Sequence, residues 1–419
     1  MEYGLIGEKL GHSFSKEIHE QIETYNYEIK EIERENLDDF MIKREFKAIN
    51  VTIPYKEAVI PHLHFISERA KTIGAVNTIV NRDGKLYGYN TDFMGMEALI
   101  KKGNISIEDK KVLILGTGGT SKTAKAVSKY LGASEVLTVS RRHGEGVITY
   151  EEMYLSHTDA DVIINTTPCG MYPHSDGNPA DISRFSKLEG VVDAIYNPLR
   201  TRLVSSALQR GIKAVGGLYM LVAQAIFAAE KFTGKTYNAS LLDEVYNKIY
   251  CEKQNIVLIG MPSSGKTTVA NELSRLCGRN SADTDSMIVA KSGMEITDIF
   301  QKFGEAEFRN RESECVNEAS QYSNCIIATG GGAILKKSNV ESLKQNGVLY
   351  FLDRKLEDLM PTSDRPLASD REAIKKRFEE RYDIYIASAD VIINVDSDPQ
   401  TIAERILAIH QNGGVSDEN

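Results

Sequence analysis

The 419-residue sequence predicts an α/β chain of more than one domain. Three observations carry that expectation. Short apolar runs such as "KKVLILG", "DVIINTT" and "IVLIG" alternate with helical stretches, which is the pattern of parallel strands covered on both faces. A glycine-rich turn, "GTGGTS" at 116–121, follows one such run. A second glycine loop of a different design, "GMPSSGKT" at 260–267, follows another. A chain of this length accommodates two to four domains of roughly 100–200 residues each.

Each element has its own justification. Residues 1–92 alternate short strands ("YGLIG", "YEIKEI", "KAINVTI") with helical segments ("SKEIHEQIE", "NLDDFMIKREF") and end in a hairpin. Asp83-Gly84 supplies the turn between its two runs of strand formers. Residues 93–224 form a second α/β unit, in which the helix "SKTAKAVSKYLGA" is closed by Gly132. "LYMLVAQAIFAAEKFTG" is apolar nearly all round and so belongs inside, at an interface between lobes. The helices at about 225–250 are expected to pack back on the first lobe. A polar stretch at 246–255 reads as a linker, and residues 256–419 restart the α/β rhythm.

Composition narrows the function. The net charge is −9, with 30 basic and 32 acidic residues in 1–250, and 20 and 27 in 251–419. Neither half has the basic excess that a nucleic-acid backbone demands. No apolar run approaches a membrane span, and the N-terminus lacks the charge and apolar pattern of a secretory signal. Five scattered cysteines form no disulfide framework and no C-x-x-C pattern, as expected of a cytoplasmic protein. His12, His19, His62 and His64 lack metal-ligand spacing.

In the first loop, Gly116 suits a tight turn and Gly118 the close approach of a pyrophosphate to the start of a helix. Ser121 stands where a third glycine is usual. The next strand ends "TVSRR". Where a carboxylate would meet the ribose of NAD, Arg141 and Arg142 offer charge to a 2′-phosphate, so NADP(H) is the expected dinucleotide. The second loop satisfies G-x-x-x-x-G-K-[ST] in full, between an apolar strand and a helix. Its backbone N–H groups are expected to cradle the phosphates of ATP. Lys266 reaches the terminal ones and Thr267 ligates Mg²⁺, with Gly260, Ser264, Gly265 and Thr268 completing the cradle.

With these motifs in hand, residues 1–250 resemble shikimate dehydrogenase through "GHSFSKEIH", "NVTIPYK", "GAVNT", "GYNTD", "GTGGT", "DAIYNP" and "MLVAQ", in the family's order. Residues 255–410 resemble shikimate kinase through "GMPSSGKTT", "DTD", "FGEAEFR", "TGGGA", "DRPL" and "RYDIY". The resemblance implies a two-lobed α/β dehydrogenase with a Rossmann NADP domain, followed by a P-loop domain of the nucleoside-monophosphate-kinase type. It implies NADPH-dependent reduction of 3-dehydroshikimate to shikimate, then ATP-dependent phosphorylation of shikimate. A first half preferring quinate, or a second half that senses shikimate and ATP without turnover, are the alternatives.

By the same resemblance Lys56 and Asp92 form the acid/base pair of the first half. From spacing alone, Lys56 reads as a lysine at a helix start and Asp92 as a helix cap. Ser13, Ser15, Thr52, Asn77, Tyr196 and Gln224 are the implied substrate contacts. Gly119, Thr120 and Ser140 join the cofactor loop, and Gly217 lies near the nicotinamide. In the second half Asp283 is implied to hold Mg²⁺, and Asp285 to meet the nucleophilic hydroxyl. Arg309 and Arg381 bind the carboxylate, while Gly330, Gly331 and Gly332 let backbone approach the ring. Arg365 is implied to sit on a lid, although the stretch between "YFLD" and "DRPL" is shorter than the family's usual one. Oligomeric state is not legible in the sequence.

Overall fold

The computed structural model describes residues 1–11, 13–360 and 370–411. His12 and Arg365 therefore lie outside the described residues. The chain divides into two compact units, Met1–Ile249 and Tyr250–Asn419. No helix among the described residues is long and apolar enough to cross a membrane.

The first unit holds two six-stranded sheets. One runs Tyr27–Glu31, Tyr3–Gly7, Ala48–Val51, Thr78–Arg82, Lys85–Tyr89, Phe65–Ile66. Its first three strands are parallel, and the hairpin 78–89 then turns the direction. Asp83 and Gly84 both take positive φ (51° and 78°), the tight-turn geometry that matches the twist of the flanking strands. Its core of Ile6, Met41, Ile49, Val76, Ile79 and Leu86 excludes solvent almost completely.

The second sheet is wholly parallel, in the order Lys213–Val215, Gly190–Asp193, Val162–Asn165, Lys111–Leu115, Glu135–Ser140, Val147–Thr149. Chain order reverses between Lys111–Leu115 and Val162–Asn165. A doubly wound sheet opens its ligand crevice beyond the strand ends at such a point. Separate apolar clusters cover its two faces, one around Met96, Val112 and Ile164, the other around Leu113, Met153 and Val191. The apolar helix Leu218–Thr233 packs against Asp92–Lys102 and Ser15–Ile22, and so ties the two sheets together.

The second unit is one parallel five-stranded sheet: Asn280–Asp283, Cys325–Ala328, Asn255–Ile259, Gly347–Asp353, Val391–Asn394. The two units divide after Ile249, inside the stretch 246–255, and that stretch is largely helical. It continues the helix Ser240–Lys253, with Val245 and Ile249 buried four residues apart on one face. The end of that helix is held by side chains instead of by a glycine stop. Arg279 donates to the Cys251 and Gln254 carbonyls at 3.0 and 2.7 Å, and Ser323 donates to Lys253 at 3.1 Å.

His19 is fully buried beneath the first sheet, stacked on Tyr27 at 4.0 Å, with Nδ1 2.6 Å from the Tyr25 hydroxyl. Burial pushes its pKa from 6.5 down to about 3. The imidazole's folded-state value lies below its unfolded one. Its stabilising effect is therefore complete above pH 6.5 and is lost as pH falls toward 3. At pH 5 the loss amounts to about 2 kcal/mol. His19→Phe keeps the ring stacking and removes the titration. Urea unfolding of this variant should lose about 2 kcal/mol less than the parent between pH 7 and pH 5; equal losses would show that His19 does not set this slope.

Candidate active sites

The first site is a cleft of about 590 Å³ in the first unit. Its walls bring together residues from far apart in sequence: Ser13, Ser15, Thr52, Lys56, Asn77, Asp92, Thr120, Tyr196, Gly217 and Gln224. Lys56 follows the strand Ala48–Val51 in a turn pinned by the Val76 N–H, which donates to its carbonyl at 2.8 Å. Asp92 opens the helix Asp92–Lys102. Lys56 Nζ donates to Asp92 Oδ2 at 2.6 Å, and both side chains are largely buried, at 17% and 10% exposure. A charged pair so placed is screened far less than a surface pair.

Polar groups deeper in the cleft satisfy one another. Asn77 Nδ2 donates to Thr91 Oγ1 at 3.0 Å and to Gln224 Oε1 at 3.3 Å. The Thr91 N–H donates to Asn77 Oδ1 at 2.7 Å. Asn50 Nδ2 donates to the Asn77 carbonyl at 3.3 Å, and Asn50 is itself fixed by Tyr27, whose hydroxyl donates to Asn50 Oδ1 at 2.7 Å. Sequence reading singled out neither Thr91 nor Asn50. Their burial inside a polar motif is a tertiary property with no local signature. At the mouth, Ser13 Oγ donates to Ser15 Oγ at 3.0 Å, beside the start of helix Ser15–Ile22. Burial raises the Tyr196 phenol above its ordinary range, so it stays a neutral donor.

Gly116 and Gly118 lie between the strand Lys111–Leu115 and the helix Gly119–Tyr130. A Cβ added at Gly118 or Gly119 would meet nothing within 4 Å, so the helix N-terminus is open to an approaching phosphate. Ser140 ends the neighbouring strand, and Arg141 and Arg142 follow it, exposed. These residues fit a dinucleotide carrying an extra phosphate.

The second site surrounds the loop between strand Asn255–Ile259 and helix Lys266–Cys277. Lys266 is buried, and its Nζ donates to the Gly260 and Met261 carbonyls at 2.9 Å each. Thr267 Oγ1 donates to Asp283 Oδ2 at 2.9 Å, across from the end of strand Asn280–Asp283. Asp283 also caps the following helix, accepting from the Asp285 and Ser286 N–H groups. Among the described residues no group of three or more His, Cys, Asp or Glu could hold an ion. Thr267 and Asp283 still fit Mg²⁺, which takes few protein ligands and completes its shell with phosphate oxygens and water.

Two arginines stand at the glycines 331 and 332, Arg381 buried and Arg309 half-buried. Arg309 Nη1 pairs with Glu312 at 2.8 Å, and Arg381 Nη1 donates to the Gly331 carbonyl at 3.0 Å. Burial pushes the Arg381 guanidinium below its usual range and the Glu312 carboxyl above its own. The Tyr385 hydroxyl lies within hydrogen-bond distance of both the Gly331 and the Gly260 carbonyls, its one proton bridging the glycine turn and the phosphate loop. A side chain in place of the glycines at 330 or 332 would push aside groups of the site. A Cβ at Gly330 would lie 2.4 Å from Asp285 Oδ1, and one at Gly332 2.0 Å from Arg309 Nη1. Glu312 and Tyr385 were not singled out in the sequence, although their spacing from Arg309 (i,i+3) and Arg381 (i,i+4) places each pair on one helix face.

The first unit thus has the architecture of a two-lobed dinucleotide-type oxidoreductase, and the second that of a P-loop kinase. Family comparisons agree. Residues 5–79 match the shikimate dehydrogenase substrate binding domain and residues 262–411 match shikimate kinase. A shikimate dehydrogenase (NADP(+)) of Clostridium perfringens is 38% identical over 269 residues, covering 59% of this chain and 98% of that protein. A chorismate mutase/shikimate 5-dehydrogenase fusion protein of Clostridium acetobutylicum is similar in structure: TM-score 0.56, 37% identity, 59% of this chain and 96% of that one. The shikimate 5-dehydrogenase of Thermus thermophilus in complex with NADP(H) and shikimate matches with TM-score 0.53 and 28% identity, over 59% of this chain and 99% of that one. The chain belongs to the shikimate dehydrogenase family and carries a shikimate kinase domain behind it.

Gly217 caps the helix Leu218–Thr233 against the cleft, and a Cβ there would lie 2.2 Å from the Ala194 carbonyl oxygen. Backbone cannot yield as a side-chain tip can. Gly217→Ala should cost on the order of 1–3 kcal/mol, read as a drop of several degrees in the melting midpoint of the first unit. An unchanged midpoint would show that this contact relaxes freely.

Proposed function

We propose that the chain is a bifunctional enzyme. The first unit reduces 3-dehydroshikimate to shikimate with NADPH. The second transfers the terminal phosphoryl group of ATP to the hydroxyl so formed, giving shikimate 3-phosphate. The observation that carries the first reading is the Lys56–Asp92 pair, 2.6 Å apart in a cleft otherwise lined with hydroxyls and amides.

Ser13 and Ser15 present donors to a carboxylate at a helix N-terminus. Thr52, Asn77, Tyr196 and Gln224 can each donate and accept, which suits ring hydroxyls. Lys56 stands as the acid that gives a proton to the carbonyl oxygen, and Asp92 holds its ammonium in place. Bound NADPH supplies the hydride. Arg141 and Arg142 recognise the extra phosphate, while Gly116, Gly118, Gly119, Thr120, Ser140 and Gly217 shape the rest of the dinucleotide groove.

In the second unit, Lys266 exchanges its two loop carbonyls for the terminal phosphates, and Gly260, Ser264, Gly265 and Thr268 shape the cradle. Thr267 and Asp283 hold Mg²⁺, and Asp285 takes the proton of the attacking hydroxyl. Arg309 and Arg381 bind the substrate carboxylate with their planar forks, next to Gly331. Glu312 keeps Arg309 oriented at 2.8 Å.

A coupled assay tests both readings at once. From 3-dehydroshikimate, NADPH and ATP, the chain should yield shikimate 3-phosphate. Lys56→Ala should slow reduction about 10²- to 10⁴-fold while phosphorylation of added shikimate continues. Lys266→Ala should abolish phosphorylation and spare reduction. Loss of both activities in either variant would overturn the assignment of two separate sites. Arg141→Ala should raise the KM for NADPH about 10- to 100-fold and leave that for NADH nearly unchanged, because a charge-assisted bond to one phosphate is removed. Equal losses for both cofactors would remove Arg141 from the 2′-phosphate site.

A further inference from the structure

A cavity of about 940 Å³ adjoins the phosphate loop of the second unit. Ser264, Gly265 and Thr268 line it from the loop and its helix, and Arg354 and Lys355 from the turn after strand Gly347–Asp353. No motif in the sequence draws attention to Arg354. In the fold its guanidinium reaches the phosphate loop. Nη1 lies 4.0 Å from where a Cβ on Gly265 would stand, and among the described residues, apart from Gly265's own chain neighbours, no other group comes that near. Its Nε is out of contact with solvent and, among the described residues, has no hydrogen-bond acceptor. Two of the cavity's acids are engaged elsewhere: Asp396 pairs with Arg405 at 2.8 Å, and Asp353 accepts from the Tyr382 hydroxyl at 3.0 Å.

A desolvated N–H donor left without an acceptor costs free energy, and the cost is higher on a charged group. Nε itself is closed off from the cavity, so the group a ligand acceptor can reach is Nη1, beside Gly265. Gly265 directly precedes Lys266, at the place where the loop's N–H groups converge on phosphate. Lys266 already has two carbonyls to hold it, whereas among the described residues the Arg354 Nε has none. We propose that Arg354 is a second cation of the nucleotide site and binds the phosphates of the nucleoside triphosphate beside Gly265. This proposal rests on the kinase reading above. It assigns a binding role to a side chain outside the phosphate-loop motif. The guanidinium fork gives it a directional contact that a lysine in its place would make only partly.

The test uses the full-length protein and three probes: ADP, inorganic tripolyphosphate and adenosine, with affinities from calorimetric titration. Arg354→Gln should weaken ADP and tripolyphosphate about tenfold or more and leave adenosine unchanged. Arg354→Lys should recover part of the loss, and its reductase activity and melting profile should match the parent. In kinetics, the KM for ATP should rise while the KM for shikimate stays constant. ADP and tripolyphosphate affinities within twofold of the parent in Arg354→Gln would overturn the proposal. A loss confined to adenosine would overturn it too, because the guanidinium would then be stacking on the base. Failure of the parent protein itself to bind ADP would instead overturn the nucleotide reading on which the proposal stands.

Discussion

Both sites depend on one constraint: a chain of net charge −9 must hold anionic ligands. On the proposed reading it does so with backbone N–H groups together with local Lys and Arg side chains. Two fully covered strands, Lys111–Leu115 and Asn255–Ile259, each end in a glycine-bearing turn that opens a helix. The unpaired N–H groups of that helix supply donors in a fixed direction. The buried strands keep the turn from shifting, because moving it would disturb apolar clusters on both faces of the sheet. The remaining groups of each site are placed by their distance from these two turns.

The catalytic-type residues show what burial adds. Lys56 and Asp92 sit 36 positions apart and meet because one follows a parallel strand while the other starts the helix after the hairpin. Glu312 and Arg309 lie one turn apart on a single helix, and burial makes the pair interdependent. Removing Arg309 would leave the buried Glu312 carboxylate desolvated, which costs more than the pair itself contributes, whereas Arg309 without Glu312 keeps Glu305 at 3.0 Å. The same reasoning covers Arg381. Its guanidinium is buried where one carboxylate, Glu312, serves both it and Arg309, and it donates to the Gly331 carbonyl beside the Tyr385 hydroxyl. A ligand carboxylate there would restore the missing counter-charge.

Local chemistry was legible in the sequence wherever a few neighbouring residues determine it. The Asp83-Gly84 hairpin, the phosphate loop at 260–267 and the all-round apolar helix at 218–233 are of this kind. The helix running through 246–255 was not legible because polarity was averaged over the stretch, while two buried residues, Val245 and Ile249, sufficed to continue it. The Lys56–Asp92 pair could not be found from spacing, and family resemblance had to supply it. Asn77 and Gln224 stand 147 positions apart, and Thr91 and Asn50 complete their network only in the folded state. Arg354 carried no motif either, since its meaning lies in what its guanidinium fails to contact.

The difference between the two loops follows from what each has to do on the proposed reading. A dinucleotide keeps its pyrophosphate intact through the reaction, so fixed N–H groups and a helix dipole suffice. Recognition of the extra phosphate is then delegated to Arg141 and Arg142 on the next strand. Phosphoryl transfer moves charge from one oxygen to another, and N–H dipoles alone leave much of that charge unneutralised. That chemistry calls for cations able to change partners. Lys266 rests on two carbonyls it can release, and Thr267 and Asp283 stand 2.9 Å apart where an ion can enter between them. A loop of the first design in the second unit would bind a nucleotide and leave the migrating charge without a partner, which is why one chain needs both.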